Sequence, residues 1–252
     1  MLKIRIIPTL LYKNFGLVKG VGFNSWRRTG SALQAIMVYS LRGVDELIFL
    51  DISATSEERE PDYALIDELA DECFMPLTVG GGIRTVEQVH RLLMVGADKV
   101  AINTAAVENP ELISQVAKRF GAQCVVVSID YRTEADGARR VYTHAGTRAT
   151  ELDPVALARR AEDLGAGEIL LTSIERDGTM QGYDLDGIRQ VSSALSIPVI
   201  AGGGAGNAAH VHEAIEHGHA SAIAAASIFH FTEITPREIK EYLAGQGVPV
   251  RW

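Results

Sequence analysis

Two aspartates end strongly apolar runs, where a carboxylate is costly unless it is hydrogen-bonded or takes part in a reaction. Asp51 ends the run LIFLD and Asp130 ends the run VVVSID. For Asp130 we favour a catalytic role over a structural one. For Asp51 we weigh substrate binding against a structural role in which the carboxylate holds a neighbouring loop amide. Thr172, near the end of a third apolar run, adds a hydroxyl that either contacts substrate or hydrogen-bonds within the fold.

Two glycine triplets, Gly80–Gly82 and Gly202–Gly204, indicate phosphate binding, because backbone amides without a Cβ atom can approach an oxyanion closely. The apolar run after each triplet ends in small polar residues, Asn103-Thr104 and Ala226-Ser227. These symmetric positions predict two phosphate sites, with tight packing of helix on strand as the alternative. Asp177-Gly178 either contributes to the second site or forms an ordinary turn.

Four charged residues, Arg5, Glu46, Lys99 and Glu168, each stand at or just before the start of an apolar run. If these runs are the strands of a barrel, all four charges lie at its N-terminal end and can form a closed ring of salt bridges around the axis. On physical grounds alone, structural ion pairs at the barrel base are the preferred interpretation.

The elements that must position these residues alternate regularly along the chain. Eight runs are too continuously apolar for half-exposed strands and therefore indicate buried ones, at Ile4–Leu11, Glu46–Ile52, Leu77–Gly80, Lys99–Asn103, Cys124–Asp130, Glu168–Ser173, Pro198–Ala201 and Ser221–Ala225. The helical segments between them open with Ser, Thr, Asp or Asn as candidate N-caps, at positions 31, 62, 85, 109, 153, 184, 207 and 235. This alternation predicts an α/β protein with one (β/α)8 TIM barrel as a single domain over residues 1–252, rather than an open doubly wound sheet.

The two halves of the chain resemble each other, which predicts a barrel built from two half-barrel repeats. When the sequence is aligned with itself at an offset of 122 residues, the first glycine triplet matches the second. At an offset of 119 residues, the run that contains Leu11 matches the run that contains Asp130. Two connections are longer than a barrel needs. We expect residues 12–30 to form either a cationic mobile lid or a solvated surface loop, and residues 131–150 to contain a small hairpin.

The composition argues against several classes of protein. A formal net charge of −8 makes general nucleic-acid binding a poor expectation. Neither the two cysteines nor the seven histidines show metal-ligand spacing, so we expect no metal and no cofactor, and we give no histidine a role. Without an apolar run of about 18 residues or a signal-peptide pattern, we expect a cytoplasmic protein that is not membrane-bound.

Several segments together carry a resemblance to a known family, namely RIIPTLLYKNFGLVKGVGF, ELIFLDISA, LTVGGGIRTVEQV, GADKVAINTAAVENP, VVVSIDYR, GAGEILLTSIERDGTMQGYD, AGGGAG and AAASIFHF. They resemble the cyclase subunit of imidazole glycerol phosphate synthase, from histidine biosynthesis, along nearly the whole chain. The resemblance implies a lyase that works as one subunit of a glutamine amidotransferase heterodimer. A glutaminase subunit at the N-terminal face of the barrel supplies ammonia through the axis, and a two-phosphate ribulosyl substrate receives it at the other end. In the family this reaction yields imidazole glycerol phosphate and an aminoimidazole carboxamide ribotide.

The resemblance also implies roles for particular residues. The family's ammonia gate falls on Arg5, Glu46, Lys99 and Glu168, which replaces the structural interpretation given above. Phosphate contacts fall on Gly82, Asn103 and Thr104 on one side, and on Asp177, Gly178, Gly204, Ala226 and Ser227 on the other. Lys19 matches the family's lysine in the first loop, and Asp130 matches one of its two catalytic aspartates.

The chain departs from the family pattern at the other catalytic aspartate, where it has Leu11, and at a serine that is replaced by Gly202. An isobutyl group cannot shuttle protons, and loss of a general acid or base typically lowers a rate by about 10²- to 10⁴-fold. Leu11 therefore motivates an alternative: a divergent, cyclase-impaired paralogue that serves as an ammonia conduit for a third, acceptor enzyme, such as one that amidates a surface-polysaccharide sugar. The related isomerase of the same pathway is a further alternative, against which the four-charge set argues.

Overall fold

The computed structural model describes residues 3–14 and 16–252. The strands are β1 (Arg5–Lys13), β2 (Gly16–Val21), β3 (Asn24–Gly30), β4 (Leu47–Asp51), β5 (Leu77–Gly80), β6 (Lys99–Ile102), β7 (Val125–Thr133), β8 (Arg139–Thr143), β9 (Arg148–Ala149), β10 (Glu168–Ser173), β11 (Val199–Gly202) and β12 (Ala222–Ala225). The helices are α1 (Ala32–Leu41), α2 (Tyr63–Asp71), α3 (Val86–Met94), α4 (Thr104–Glu108), α5 (Glu111–Phe120), α6 (Pro154–Asp163), α7 (Leu185–Ser192), α8 (Ala208–Glu216), α9 (Ser227–Phe231) and α10 (Pro236–Gly245).

Eight parallel strands close into a barrel, which confirms the predicted (β/α)8 fold. Neighbouring strands pair in the order β1, β4, β5, β6, β7, β10, β11 and β12, and β12 pairs back with β1. These are the eight apolar runs identified in the sequence. Because the strands are parallel, their carboxyl ends meet at one rim of the barrel, here called the mouth, and their amino ends meet at the opposite rim, here called the base.

Both faces of the barrel wall are buried, which explains why the strands read as continuous apolar runs. On the outer face, side chains such as Ile6 and Phe49 belong to the main core beneath the helices. On the inner face, a separate cluster that includes Ile7, Ile48 and Val126 fills the interior. The fold therefore has a packed axis between the base and the mouth.

Most of the predicted N-caps bond as expected. The side chains of six residues accept a first-turn backbone amide, namely Asp62, Thr85, Asp153, Asp184, Asn207 and Thr235. Ser31 makes no such bond, and α5 begins at Glu111 after Pro110 rather than at Asn109. Most of the loops that leave the mouth therefore begin at a strand and end at a bonded N-cap, so that both ends of each loop are fixed.

Two antiparallel hairpins extend the barrel wall at opposite points of the mouth. β1 continues past the barrel to pair with β2, which pairs with β3, and β7 continues to pair with β8. Apart from residue 15, which lies outside the described residues, the stretch 12–30 thus forms β2 and β3 of a hairpin rather than an irregular loop. β2 pairs on both sides, whereas β3 pairs only with β2 and is largely exposed, and the role of this hairpin as a lid stays a prediction. The hairpin predicted within residues 131–150 is confirmed.

The predicted half-barrel repeat is visible in the elements. β1 and β7 have nine residues each and carry the hairpins, while β5 and β11 have four residues each and lead into the glycine triplets. β6 and β12 are each followed by a five-residue helix, α4 and α9. These two helices were not predicted, because five residues are too few to show a helical period. None of the helices in the described ranges combines the length and apolar character needed to cross a membrane.

Candidate functional site

Asp130 lies at the centre of the mouth, at the point where β7 leaves the barrel. Its side chain is buried, and its Oδ2 accepts a hydrogen bond of 3.3 Å from Nδ2 of Asn103. Burial raises the pKa of Asp130 to about 7, with a smaller contribution from the negative charge of Asp177. A carboxyl group with a pKa in this range can give and take protons near neutral pH, as a general acid or base requires.

Two pockets open on either side of Asp130, and both are lined by it. The first pocket is lined by Gly81 and Gly82, by Asn103 and Thr104, and by Asp51. The second pocket is lined by Lys19 of the first hairpin and by residues from the second half of the chain, including Thr172, Asp177, Gly178, Gly204, Ala226 and Ser227. The structure therefore brings all the predicted phosphate-contact residues to one end of the barrel, in two groups.

The glycine triplets are required by close contacts between neighbouring loops. Gly82 has φ +71°, and a Cβ atom there would lie 2.6 Å from the carbonyl oxygen of Arg59. Gly204 has φ +119°, and a Cβ atom there would overlap the carbonyl oxygen of Gly182. Close packing of the loops is thus sufficient to explain why glycine is needed at these two positions. The same packing places the backbones of both glycines at the pocket walls.

The second pocket contains a buried ion pair and two unpaired hydroxyls. Nζ of Lys19 lies 2.5 Å from Oδ2 of Asp177, and Lys19 is only 2% exposed. The first hairpin reaches this point because the N–H of Gly22 donates to the carbonyl oxygen of Asp177 over 2.8 Å. Ser227 Oγ is buried without a hydrogen-bond partner in the described residues. Thr9 Oγ1, on the wall of the same pocket, is also unpartnered, so the pocket offers two hydroxyl donors that nothing in the described protein satisfies.

Asp51 lines the first pocket, but its carboxylate is already occupied. Oδ1 accepts hydrogen bonds from Ser53 N and Oγ, both at 2.9 Å, and from Ala54 N at 3.0 Å. Oδ2 pairs with Arg59 at 3.2 Å. Of the two roles considered for Asp51, these contacts favour the structural one, in which the carboxylate holds the loop that borders the first pocket.

Leu11 occupies the place opposite Asp130 in the second pocket. β1 and β7 lie four strands apart in a barrel of eight, and Leu11 and Asp130 both line the cavity between them. Leu11 is buried, with 8% of its surface exposed. The other carboxylate in this pocket, Asp177, is paired with Lys19. Among the residues that line this cavity, Asp130 is thus the one carboxyl group without a cationic partner.

At the base, the four predicted charges form a closed ring. Nη1 of Arg5 lies 2.7 Å from Glu46 and 2.9 Å from Glu168, and Nζ of Lys99 lies 3.0 Å from Glu46 and 3.2 Å from Glu168. Arg5 is on β1 and Glu168 on β10, with β11 and β12 between them, so their contact crosses the interior of the barrel. Burial by itself would lower the pKa of Arg5, but Glu168 and Glu46 outweigh it and raise the pKa above its ordinary value.

Sequence reasoning missed several residues of the mouth. Phe23 and Trp26, from the first hairpin, line the second pocket, and Ala145 lines both pockets. His144, to which we gave no role, donates its backbone N–H to Thr104. His144 lies in the turn between β8 and β9, and the approach of this turn to Thr104 depends on contacts between distant segments, which the sequence does not reveal. Within residues 3–14 and 16–252, no group of three or more His, Cys, Asp and Glu side chains could hold a metal ion.

One comparison with known proteins bears on this site. Residues 5–235 match the family whose description is histidine biosynthesis protein. The matched range includes all four charges of the ring, Asp130, and the residues of both pockets.

Proposed function

This chain belongs to the histidine biosynthesis protein family, and from that premise we propose that it is the cyclase-type, ammonia-using member of a glutamine amidotransferase. In this proposal a glutaminase subunit docks at the base and releases ammonia into the barrel. The ammonia passes the ring, travels along the axis, and reacts at the mouth with a ribulosyl substrate that carries two phosphates. Asp130 exchanges the protons of the addition and ring closure.

The observation that carries this proposal is the ring of Arg5, Glu46, Lys99 and Glu168. A barrel that only isomerises a substrate at its mouth has no need for four ion-paired side chains that close the opposite end. Burying charges is costly even when they are paired, so the ring is poor evidence of stabilisation alone. A gate that admits a small neutral molecule is a function that these four charged residues could serve.

The two pockets support a substrate with two anionic groups. They lie on opposite sides of Asp130, so a molecule that fills both would extend across the mouth with its central atoms near the carboxyl group. Lys19 and Ser227 in the second pocket supply hydrogen-bond donors suited to phosphate oxygens. Gly82, Asn103, Thr104, Gly178, Gly204 and Ala226 complete the proposed contacts.

The base also offers a surface for a partner. Three large apolar side chains are exposed at the C-terminal ends of neighbouring helices or just after them, with exposed fractions of 89% for Leu41, 85% for Phe74 and 74% for Met94. Helices of a (β/α)8 barrel run opposite to the strands, so these ends lie around the base. Apolar side chains that cluster on a surface mark interaction sites, and this one adjoins the proposed entrance for ammonia.

Leu11 favours a second candidate function. With Leu11 in place of an acid, the proposed proton transfers rest on Asp130 alone, and cyclisation would be slow. In that case the chain would conduct ammonia from the glutaminase to a third enzyme, for example one that amidates a surface-polysaccharide sugar. The ring and the base are compatible with either function, so only the chemistry at the mouth separates the two.

The test gives the purified chain the two-phosphate ribulosyl substrate with an ammonium salt, and compares the wild type with Leu11→Asp. Turnover by the wild type at a rate within tenfold of the variant supports the cyclase. A gain of about 10²-fold or more in Leu11→Asp, over a nearly inactive wild type, supports the conduit. If neither protein turns over and neither increases glutamine hydrolysis by a co-purified glutaminase, both candidate functions are wrong.

A further inference from the structure

A chain of hydrogen bonds runs from the turn between β8 and β9 to Asp130. The backbone N–H of His144 donates to Oγ1 of Thr104 over 3.0 Å. Oγ1 of Thr104 donates to Oδ1 of Asn103 over 3.3 Å, and Nδ2 of Asn103 donates to Oδ2 of Asp130 over 3.3 Å. Thr104 and Asn103 also line the first pocket, so the chain passes along the wall of a proposed phosphate site.

Thr104 fixes which way the Asn103 amide points. The Asn103 NH2 group has two hydrogens but three acceptors within reach, namely Ser128 O at 3.1 Å, Tyr142 O at 3.3 Å and the carboxylate of Asp130. Since the Thr104 hydroxyl accepts from His144, its own hydrogen is free to be donated to Asn103 Oδ1. That bond holds the oxygen away from Asp130 and the NH2 group towards it.

The turn that supplies the first donor is in an unfavourable conformation. His144 has φ 52° and Ala145 has φ 54°, both in the left-handed region. These two residues begin the connection 144–147 between β8 and β9, and a residue with a Cβ atom is strained at such φ values. Strained backbone of this sort persists where the surrounding structure holds it, and it concentrates at functional sites.

We propose that the His144–Ala145 turn and Thr104 are positioning residues that orient Asn103 on Asp130, so that anion binding in the first pocket and protonation of Asp130 are linked. The proposal rests on the proposed function in so far as Asp130 is taken as its proton-transferring group. An anion beside Thr104 and Asn103 adds negative charge near Asp130 and competes for the same amide. Both effects favour the protonated carboxyl, and by reciprocity a protonated Asp130 favours the anion.

Several other groups face Asp130 and must be separated from it in a test. Asp177 contributes negative charge from the loop after β10, and it is paired with Lys19 of the first hairpin. Tyr142 on β8 lies opposite Asp130 in the ladder, Asp51 lines the shared first pocket, and His144 lies in the turn after β8. All of these remain in an Asp130→Asn variant, so any pH dependence that survives this substitution belongs to them.

Sulfate is a suitable probe, because it stays a dianion across the range in which Asp130 titrates. We expect sulfate to bind the wild type about tenfold more weakly at pH 8.5 than at pH 5.5, which corresponds to a rise of about one unit in the pKa of Asp130 on binding. Calorimetry gives the affinities, and the carbon-13 signal of the Asp130 carboxyl, identified as the one missing in Asp130→Asn, gives its titration directly.

A pair of variants at one position isolates the role of the hydroxyl. Thr104→Val keeps the shape of the side chain but removes both hydrogen bonds, whereas Thr104→Ser keeps them. We expect the carboxyl of Asp130 to titrate at a different pH in Thr104→Val, and its response to sulfate to be smaller, while Thr104→Ser behaves like the wild type. A Thr104→Val protein that titrates like the wild type, or an Asp130 signal that sulfate does not move, overturns the proposal.

These measurements need no turnover, so they separate this inference from the proposed function. A linked titration without cyclase or ammonia-transfer activity would leave the positioning role in place and reject the function. Cyclase or ammonia-transfer activity, together with an Asp130 titration that depends on neither sulfate nor Thr104, would leave the function in place and reject the positioning role.

Discussion

At the scale of single residues, Asp130 is the group to which the proposed function assigns proton transfer at the mouth. Burial raises its pKa to about 7 from an ordinary value of 3.8, and its hydrogen-bond donor is a neutral amide rather than a cation. Asp51, by contrast, accepts several hydrogen bonds and pairs with Arg59. Two aspartates in equivalent sequence settings thus have different environments, and only Asp130 is arranged to exchange protons near neutral pH.

The raised pKa of Asp130 predicts a dependence of stability on pH. The folded chain binds this proton more tightly than the unfolded chain does, so between about pH 4 and pH 7 the folded state holds more protons and the free energy of unfolding falls as the pH rises. Asp130→Asn removes this dependence, and at pH 8 we expect the variant to be more stable than the wild type by up to about 4 kcal/mol.

Urea unfolding of both proteins at pH 5 and pH 8 measures the effect. The informative quantity is the change between the two pH values in the stability difference, because effects of the substitution that do not depend on pH cancel. Equal differences at the two pH values would mean that Asp130 ionises in the folded chain as readily as in the unfolded one.

At the scale of elements, the sequence predicted the barrel because its signals are local. Each strand is a short apolar run, and most helices start with a cap that bonds to an amide two or three residues later, as at Thr85 and Asp153. The first hairpin gave no such signal, since NSWRRTG reads as a solvated segment. It forms because β1 offers a free ladder beyond the barrel and because Lys19 finds a partner 158 residues away, in Asp177.

For the candidate site too, the sequence predicted the features that depend on local patterns and missed those that depend on distant contacts. The ends of the strands and the glycine triplets located both pockets. The contact from His144 to Thr104 depends on how the second hairpin folds back over α4, which no local pattern contains. Leu11 could be noticed only against the resemblance and the internal repeat, because a leucine at the end of an apolar strand is unremarkable by itself.

A buried ion pair fastens the last helix to the base of the barrel. Nζ of Lys240 on α10 lies 2.9 Å from Oδ1 of Asp45, whose Oδ2 accepts a 2.9 Å hydrogen bond from the N–H of Ile6. Both charged side chains are almost fully buried. The pair therefore connects the C-terminal helix with the chain just before β4 and with the start of β1.

Lys240→Met should destabilise the protein strongly, because it leaves the Asp45 carboxylate buried without a counter-charge. We expect a loss of about 3–5 kcal/mol in the free energy of unfolding, measured in urea. The double variant Asp45→Asn, Lys240→Met should recover a substantial part of this loss, since neither side chain is then charged. A loss below about 1 kcal/mol in the single variant would show that water reaches the pair.

At the scale of the whole molecule, the base and the mouth are two ends of one interior. The ring at the base and Asp130 at the mouth both belong to the inner face of the wall, with the apolar cluster around Ile7 and Val126 between them. In the proposed function ammonia crosses this packed apolar layer, which favours neutral ammonia over ammonium. The proposed function therefore assigns delivery to one end and chemistry to the other, and each end can be changed separately.

Docking of the glutaminase should depend on the apolar side chains around the base. Phe74→Glu places a charge at their centre, and we expect it to weaken co-purification of the glutaminase by about 2 kcal/mol or more, while the ammonium-dependent reaction stays unchanged. Met37→Glu is a matched control, because Met37 is also exposed but lies in the middle of α1. Equal binding by the two variants would place the partner elsewhere.

Substitutions in the ring can distinguish a gate from a set of structural ion pairs. Lys99 contacts both glutamates through a flexible stem, whereas Arg5 holds the same two glutamates from the other side. A gate needs one side chain that can change its conformation and return. The flexible side chain of Lys99 suits this role better than the planar guanidinium of Arg5. Lys99→Met retains the stem and removes the charge, so Arg5 is left to draw Glu46 and Glu168 together across the opening.

We therefore expect Lys99→Met to lower ammonia transfer several-fold without affecting the chemistry at the mouth. With glutamine labelled by nitrogen-15 in its amide and the co-purified glutaminase present, the label should appear mainly as free ammonia rather than in product. The rate with added ammonium salt should match that of the wild type, as should the transfer in Arg91→Met, which removes an exposed ion pair with Glu60. If Lys99→Met lowers the free energy of unfolding but passes the label to product as efficiently as the wild type, the ring only braces the base.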